Sequence, residues 1–399
     1  MKTVILVGDG MGDYGLTELG GQTILEAAHT PSMDYLAGHG RMALLRTVPP
    51  GMLPGSDVAN LSLLGYRAEE FYTGRSPLEA ASLGVDLGPD EVAFRLNLVN
   101  IKEEEGRMIM VDYSGGHIST AEARELIDAL QAILPPQGLA LYTGVGYRHL
   151  LVVEGDLDGL ATVPPHDYPD QDVTSFWDNY RQVPLLADFV NRAREVLAEH
   201  PVNQRRLQQG KVPANGIWLW GEGKAPAMLT LKELYGVSGA LISAVDLLKG
   251  IAVYAGMEVL PVVGATGYLD TNYQGKVEAA LAAIGRHDLV FVHVEAPDET
   301  GHQGLLKEKM QAVEDFDQKI VGPVLAGLRK QGDFRLVVCM DHFTPISLKT
   351  HTTDPVPVLI YDSRQPHDSG LSAYSEANGR VAGVFYEHGG EFMKAVLAA

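Results

Sequence analysis

The chain has 399 residues, more than one hydrophobic core usually supports, so two domains are expected. Hydrophobic residues make up 46% of the chain and charged residues 21%, proportions that are typical of a soluble globular protein. The formal net charge is -20, from 31 basic and 51 acidic side chains, which argues against a nucleic-acid-binding protein because such binding requires a basic surface.

The chain opens on a predicted strand over residues 3–8, which ends at Asp9. Asp9 interrupts the apolar stretch too early for a signal peptide. The glycines around it lack the third glycine of a dinucleotide fingerprint, because that position is Asp13. They could instead let the backbone turn so that Asp9 faces a crevice. A cytoplasmic protein is expected, since Cys339 is a lone cysteine in an apolar run and no run of about 18 apolar residues predicts a membrane span.

Further elements of the first ninety residues are two helices. Thr30 and Pro31 are typical of a helix start, and Gly38 and Gly40 of its end. A second helix is predicted directly after Ser56. Ser56 has two interpretations: it caps the helix, or it is a nucleophile at a helix N-terminus, where free N–H groups favour a phosphate.

Residues 91–235 have a different order of predicted strands and helices. Strands are predicted over 92–99 and 108–111, and a capping box, Ser119 with Glu122, predicts a helix that runs to about residue 134. A hairpin is predicted from strands 139–142 and 149–153, and residues 164–172 are predicted to form an exposed loop.

After residue 236 the alternation of strands and helices returns. A helix is predicted over about 241–255, and strands near 258–263, 288–294 and 335–340. The predicted fold class is α/β, with a mostly parallel sheet and helices on both faces, interrupted by a smaller α+β insert. We therefore predict a discontinuous catalytic domain, residues 1–90 and 236–399, and an inserted domain, residues 91–235.

Acidic and histidine residues follow the predicted strands of the first and last parts of the chain. They are Asp9, Asp298, His302, Asp341, His342 and His351. The carboxyl ends of parallel strands meet at one edge of a sheet, so these side chains are expected to share a crevice. Carboxylate with imidazole suits Mn²⁺ or Zn²⁺ better than Ca²⁺. Two ions beside Ser56 predict phosphoryl or sulfuryl transfer through a serine ester.

These motifs together resemble the cofactor-independent phosphoglycerate mutases of the archaeal type, within the alkaline phosphatase superfamily. The similar stretches are VGDGMGD (7–13), PGSDVANLSLLGY (54–66), YTGRSPLEA (72–80), GATGYLDTNYQGK (264–276), HVEAPDETGH (293–302), MDH (340–342) and HTTDPVPVLIY (351–361). The resemblance implies that Asp298, His302 and His351 bind one metal. It implies that Asp9, Asp341 and His342 bind the other, together with the nucleophile Ser56.

The resemblance also implies an isomerase that interconverts 3-phosphoglycerate and 2-phosphoglycerate without 2,3-bisphosphoglycerate. Two divalent ions are implied, Mn²⁺ first, with Zn²⁺, Co²⁺ or Mg²⁺ as alternatives. The insert is expected to act as a cap that holds glycerate and excludes water from the phosphoserine. Candidate cations for this small phosphorylated substrate, each of which could instead be a surface cation or a satisfied histidine, are Arg95, His117, Arg148, His149 and Lys249.

One departure from the family leaves the substrate open. Archaeal mutases tend to carry an arginine where this chain has Trp220. The variant resembles a bacterial sister group with a proposed homoserine kinase role, so a related phosphotransferase or a phosphatase is the alternative function. A P-loop is absent from the sequence, which excludes that mode of ATP binding. A catalytically silent homologue is disfavoured by the intact ligand positions, and no oligomeric state is predicted.

Overall fold

The computed structural model describes residues 1–155, 157 and 159–398, and the chain divides into two compact units. Unit 1 comprises Met1–Tyr72 and Ala227–Ala399, and unit 2 is Thr73–Pro226. The boundaries therefore lie at 73 and 226, where the sequence predicts 91 and 235. The earlier start has a physical reason: the helix over Arg75–Ser82 packs on two strands of unit 2.

The strands follow one another along the chain with these bounds. They are β1 (Lys2–Gly8), β2 (Arg41–Leu45), β3 (Glu91–Glu104), β4 (Arg107–Asp112), β5 (Leu139–Val145), β6 (Arg148–Glu154), β7 (Gln171–Asp172), β8 (Gly216–Gly223), β9 (Gly239–Ile242), β10 (Glu258–Val259), β11 (Leu289–Val294), β12 (Phe334–Cys339), β13 (Val356–Asp362) and β14 (Phe385–Tyr386).

The helices lie between them. They are α1 (Ile24–Ala27), α2 (Pro31–His39), α3 (Ser56–Leu63), α4 (Ala68–Phe71), α5 (Arg75–Ser82), α6 (Thr120–Gln131), α7 (Thr174–Asn179), α8 (Pro184–Glu199), α9 (Pro201–Gln208), α10 (Leu231–Tyr235), α11 (Asp246–Tyr254), α12 (Tyr273–Ala283), α13 (Ala296–Gln303), α14 (Leu306–Phe316), α15 (Gly322–Leu328), α16 (Glu376–Val381) and α17 (Gly389–Leu397).

Unit 1 is built on a sheet with the strand order β10-β9-β11-β1-β12-β13-β2-β14. The pairs from β10 to β12 are parallel, β13 is antiparallel to both of its neighbours, and β14 is parallel to β2. All residues of β11 and β12 are buried, which suits the apolar, β-branched sequence of strands covered on both faces. The predicted α/β class with a mostly parallel sheet is confirmed.

Unit 2 contains an antiparallel sheet in the order β5-β6-β3-β4-β7, with β8 paired to β3. The long strand β3 pairs with β4, β6 and β8. The predicted hairpin is present as β5 and β6, and α6 begins with the predicted capping box of Ser119 and Glu122. The core of this sheet is shared with α6 and α8, whose apolar faces are buried.

The helix predicted over residues 241–255 is wrong in its first part. Residues Gly239–Ile242 form β9, which pairs with β11, and the helix α11 begins only at Asp246. A four-residue apolar run has no periodicity of its own, so pairing with a neighbouring strand decides its structure. The predicted strand 258–263 is also shorter, ending at Val259. In the part of the chain that the structure describes, no helix has the length and apolarity needed to cross a membrane.

Candidate metal centre

The centre lies at the carboxyl ends of three neighbouring strands of unit 1. Asp9 directly follows β1, Asp341 follows β12, and Asp298 lies on α13, directly after β11. Because β1 is flanked by β11 and β12 in parallel register, the residues that follow these strands emerge side by side. The α/β topology therefore brings Asp9 together with two carboxylates that lie in the last third of the chain.

The turn after β1 depends on Gly10. Its φ of 61° lies in the left-handed region that favours glycine. A Cβ atom at this position would lie 2.5 Å from Thr344 Oγ1 and 2.6 Å from Asp298 Oδ1. The turn can therefore pass this close to Asp298 only because residue 10 has no side chain.

Ser56 is the first residue of α3, and its hydroxyl does not cap the helix. Gly55 is the N-cap residue and no side chain caps the backbone there. Instead, Ser56 Oγ lies 3.5 Å from Asp9 Oδ2 and 3.3 Å from His342 Nε2. The hydroxyl thus belongs to the acidic and histidine cluster, at the N-terminal end of a helix, whose dipole favours an anion.

One group of potential metal ligands consists of Asp9, His293 and Asp341, all of them buried. His293 Nε2 lies 3.0 Å from Asp9 Oδ2 and 3.9 Å from Asp341 Oδ2. Among the described residues, Asp9 Oδ1 and His293 Nε2 make no hydrogen bond of good geometry, although both atoms are buried and His293 Nε2 has a carboxylate oxygen nearby. Buried polar atoms without a partner are costly, and a cation between them would satisfy both.

A second group consists of Asp298, His342 and His351. His351 Nε2 lies 3.3 Å from Asp298 Oδ1. His302, one helical turn after Asp298, places its Nε2 3.2 Å from Asp298 Oδ2 and 2.9 Å from His351 Nε2. The three side chains predicted to bind one ion, Asp298, His302 and His351, therefore converge.

His342 lies between the two groups. Its Nε2 is 3.5 Å from Asp9 Oδ1 and 3.6 Å from Asp341 Oδ2, while its ring centre is 4.0 Å from that of His351. His293, which the sequence interpretation leaves out, occupies the place beside Asp9 and Asp341. The carboxylate and imidazole donors fit divalent ions, and the division of ligands between two ions stays a prediction.

Several ionisable side chains of the cluster are buried close together, so their pKa values depend strongly on one another. Burial, followed by the neighbouring charge of Asp341, raises the pKa of Asp9 well above its usual range. Burial alone would also raise the pKa of Asp298, but hydrogen bonds from His302 and His351 outweigh it and hold this pKa well below the usual range. The hydrogen bond to Asp298 raises the pKa of His302 to about 9. Such opposed shifts are typical of functional sites.

Supporting contacts that sequence reasoning missed hold the ligands in place. Asn60 donates to Asp341 Oδ2 at 2.9 Å and to the Ser56 carbonyl at 2.8 Å, which joins α3 to the loop after β12. The hydroxyl of Thr344 contacts Asp298 Oδ1 and lies 3.3 Å from His342 Nδ1. The sequence does carry a signal for His293, because it is the one polar residue in the apolar strand β11.

Two of the predicted substrate residues lie close together in unit 2. Arg95 pairs with Glu79 at 3.0 Å, and its guanidinium carbon lies 4.4 Å from the ring centre of Trp220. Burial, and then the nearby charges of Arg75 and Arg148, lower the pKa of Arg95. Arg148 lies over the ring of Tyr147. Positive charges held this close together favour an anion between them.

The other three predicted substrate residues have different surroundings. The ring of His117 contacts Tyr113 and Tyr147 edge to face, at a backbone φ of 48°. His149 is buried; its Nδ1 accepts from the Gly144 N–H at 3.1 Å, and burial lowers its pKa to about 4, so it carries no charge near neutral pH. Lys249 lies on α11 of unit 1 and pairs with Asp246 at 2.8 Å.

Trp220, where the sequence departs from the family pattern, is buried in β8. Its Nε1 donates to Asn97 Oδ1 at 3.1 Å, and the ring of His166 packs against it edge to face. The indole thus combines the role of a core aromatic with that of a platform for the Arg95 guanidinium.

Comparison with known proteins places the whole chain in one group. Residues 37–203 match the family model described as 2,3-bisphosphoglycerate-independent phosphoglycerate mutase. A probable mutase of that name from Geobacter sulfurreducens is 52% identical over 397 residues, covering 100% of both chains. The mutase of that name from Methanosarcina barkeri is 51% identical over 383 residues, covering 95% of each chain.

Solved structures agree with these sequence matches. A protein from Pyrococcus horikoshii has a TM-score of 0.83 at 29% identity, covering 99% of this chain and 97% of its own. A cofactor-independent phosphoglycerate mutase from Thermoplasma acidophilum has a TM-score of 0.70 at 27% identity, covering 100% and 99%.

Proposed function

Because the chain belongs to the family of 2,3-bisphosphoglycerate-independent phosphoglycerate mutases, we propose that it interconverts 3-phosphoglycerate and 2-phosphoglycerate through a phosphoserine at Ser56. The observation that carries the proposal is the position of the Ser56 hydroxyl. It lies within 3.5 Å of both Asp9 and His342, in a cluster of carboxylates and imidazoles suited to divalent ions. The names of the relatives do not favour the homoserine-directed alternative.

Two divalent ions, Mn²⁺ first among the candidates, would be held by the clustered side chains. Asp9, Asp341 and His293 or His342 would hold one near Ser56, and Asp298, His302 and His351 the other. When bound, such ions supply positive charge that acidifies a serine hydroxyl and stabilises the transferring phosphoryl group. The identity of the metal and a cytoplasmic location stay predictions.

The residues of the chain perform the transfer in two matched halves. Ser56 Oγ forms a bond to phosphorus as the bond from phosphorus to the 3-oxygen of the substrate breaks, and the serine proton balances the proton gained by that oxygen. The 2-hydroxyl then attacks the phosphoserine, which returns the proton to Ser56. The N-terminus of α3, where Ser56 lies, would stabilise the charge of the phosphoryl group in both half-reactions.

Unit 2 would supply the cap that holds glycerate after the first phosphoryl transfer and before the second. Arg95 and Arg148, with Arg75 as a near neighbour, are its candidate anion-binding side chains. His149, as a neutral buried imidazole, and Lys249, as a paired lysine of unit 1, are weaker candidates than the sequence alone indicates. Exclusion of water by the cap would protect the phosphoserine from hydrolysis.

The deciding experiment incubates the Mn²⁺-loaded protein with 3-phosphoglycerate in the absence of bisphosphoglycerate. We expect 2-phosphoglycerate to form, and ³¹P NMR measures its appearance. Ser56→Ala is expected to lose transfer by at least about a thousandfold, because the nucleophile is gone, while keeping its bound metal. Ser62→Ala, on the same helix, is the control and should stay active. Full activity of Ser56→Ala would exclude the phosphoserine, and no conversion by the unaltered protein would exclude the mutase.

A further inference from the structure

A fully buried lysine contacts the loops that carry the candidate metal ligands. Lys309 is on α14 of unit 1 and has no exposed surface. Its Nζ donates to the Thr344 carbonyl at 2.8 Å, to the Gly12 carbonyl at 3.0 Å and to Asp13 Oδ2 at 3.0 Å. Three acceptors use all three N–H groups of an ammonium, so the side chain carries a positive charge here.

The acceptors belong to the two loops that bear metal-ligand candidates. Gly12 and Asp13 continue the turn that begins at Asp9, and Thr344 continues the loop of Asp341 and His342. The same loops are joined by the Thr344 N–H, which donates to the Gly12 carbonyl at 3.2 Å. Lys309 therefore connects the segments after β1 and β12 at a point two to four residues from their ligands.

Asp13 extends this connection further. Its Oδ2 accepts from the Ile346 N–H at 3.2 Å as well as from Lys309, and its Oδ1 accepts from the Tyr14 N–H at 2.9 Å. The Asp13 N–H in turn donates to Glu376 Oε1 at 3.1 Å. The charged pair is thus fully hydrogen-bonded, the condition under which a buried ion pair fixes one arrangement of its neighbours.

The third ligand-bearing segment is reached through Thr344. Lys309 holds the carbonyl of this residue, while its hydroxyl contacts Asp298 Oδ1 on α13. A shift of residue 344 would therefore move the contact with Asp298 together with the loop of Asp341.

We propose that Lys309 is a positioning residue for the metal centre, which sets the spacing of the loops carrying Asp9, Asp341 and Asp298 through the Gly12 and Thr344 carbonyls and Asp13. This rests on the proposed two-ion site. Lys309 does not touch the ions or the substrate; it acts through the backbone of the ligand loops. Outer partners of this kind affect metal affinity nearly as strongly as some ligands do.

The test is a titration of the metal-free full chain with MnCl₂, in which calorimetry measures the affinity for Mn²⁺. Lys309→Met is expected to weaken Mn²⁺ binding by about 10- to 100-fold. Because methionine leaves the Asp13 carboxylate buried without a cation, the double variant Lys309→Met with Asp13→Asn removes both charges and protects folding. It should show the same loss of affinity.

Arg335→Met is the matched control. Arg335 is also a buried cation of unit 1, bonded to two carbonyls, of Val396 and Ala398, and to Asp362, but it lies near the opposite end of β12, about 20 Å from Asp341 along the strand. Arg335→Met should lower the thermal unfolding midpoint and leave the Mn²⁺ affinity within about twofold of that of the unaltered protein.

The positioning role would be overturned by unaltered Mn²⁺ affinity in both Lys309 variants, or by an equal loss of affinity in Arg335→Met. The mutase assay on the unaltered protein tests the proposed function separately.

Discussion

At the scale of single residues, the imidazole of His293 adds most to the candidate centre. It is fully buried in the middle of the sheet, beside Asp9 and Asp341. Burial lowers its pKa, which keeps the ring neutral and leaves a nitrogen lone pair available for a cation. The ligands predicted from the sequence all follow the ends of strands, whereas His293 lies one residue before the end of β11.

We predict that His293→Ala lowers the number of bound Mn²⁺ ions from two to one. The reason is that the group around Asp9 and Asp341 loses its buried nitrogen donor, whereas Asp298, His302 and His351 are unchanged. Metal content after gel filtration measures this directly. His287→Ala serves as the control, since that ring lies before β11 and pairs with Glu258. Two tightly bound ions in His293→Ala would exclude the ligand role.

A second residue makes stability depend on pH. Burial lowers the pKa of His149 to about 4 in the folded chain, against 6.5 in the unfolded chain. Between these values the unfolded chain binds more protons at this residue, so the contribution of His149 to the free energy of unfolding falls as the pH drops from 6.5 towards 4 and is constant above that window. The loss is on the order of 3 kcal/mol at pH 4.

Urea unfolding of the metal-free chain, followed by tryptophan fluorescence, measures this effect. The three tryptophans, Trp177, Trp218 and Trp220, all lie in unit 2 with His149. His149→Asn keeps an acceptor for the Gly144 N–H but cannot titrate, so its stability should fall less over the same window. An identical pH profile in the two proteins would contradict the prediction.

At the scale of elements, the turn after β1 is as important as the ligands it presents. Gly10 combines a left-handed backbone with a close approach to Thr344 and Asp298. Gly20 has a similar φ of 66°, but a Cβ atom there would meet no other atom within 4 Å, so this glycine isolates the backbone cost alone.

We predict that Gly20→Ala lowers the free energy of unfolding by only about 1 kcal/mol, the cost of the left-handed conformation. Gly10→Ala should cost more and should also weaken Mn²⁺ binding at least about tenfold, because the new methyl group displaces Asp298. Chemical denaturation and metal titration of the pair separate the two effects. Equal metal affinity in both variants would show that the turn tolerates a side chain.

The elements themselves were predictable to different degrees. The strands that carry ligands have long apolar runs, and the capping box of Ser119 and the β5–β6 hairpin have local signals, so all were predicted. The strand β9 was missed because four apolar residues can belong to a helix or a strand until they pair with β11. Unit 2 begins at Thr73, before the predicted residue 91, because α5 packs on β3 and β8, and such packing leaves no mark in its sequence.

At the scale of the whole molecule, the candidate metal ligands belong to one unit, and the other unit has a separate hydrophobic core. Every predicted metal ligand is in unit 1, whereas unit 2 has a hydrophobic core of its own, formed by β3, β8, α6 and α8. That core includes Phe94, Leu126, Phe189 and Trp218, each of them buried. A unit with its own core is able to fold alone.

We therefore predict that the fragment 73–226 folds by itself and unfolds cooperatively in urea. Its tryptophan emission should match that of the full chain, because the surroundings of the three tryptophans are supplied within unit 2. A fragment with the boundaries 91–226 is the comparison; it lacks α5 and should be less stable. An unfolded 73–226 fragment would show that the core depends on unit 1.

The sequence by itself determined the α/β class, the strand-end positions of Asp9, Asp298 and Asp341, and the helix that begins at Ser56, because each rests on local periodicity and on the rule that parallel strands share one edge. Only the tertiary structure decided that the Ser56 hydroxyl turns to Asp9 and His342, that His293 joins the centre, and that Lys309 ties its loops together. These contacts join residues 35 to 297 positions apart or depend on which face of a strand is turned inward. Packing sets them, and no local pattern records it.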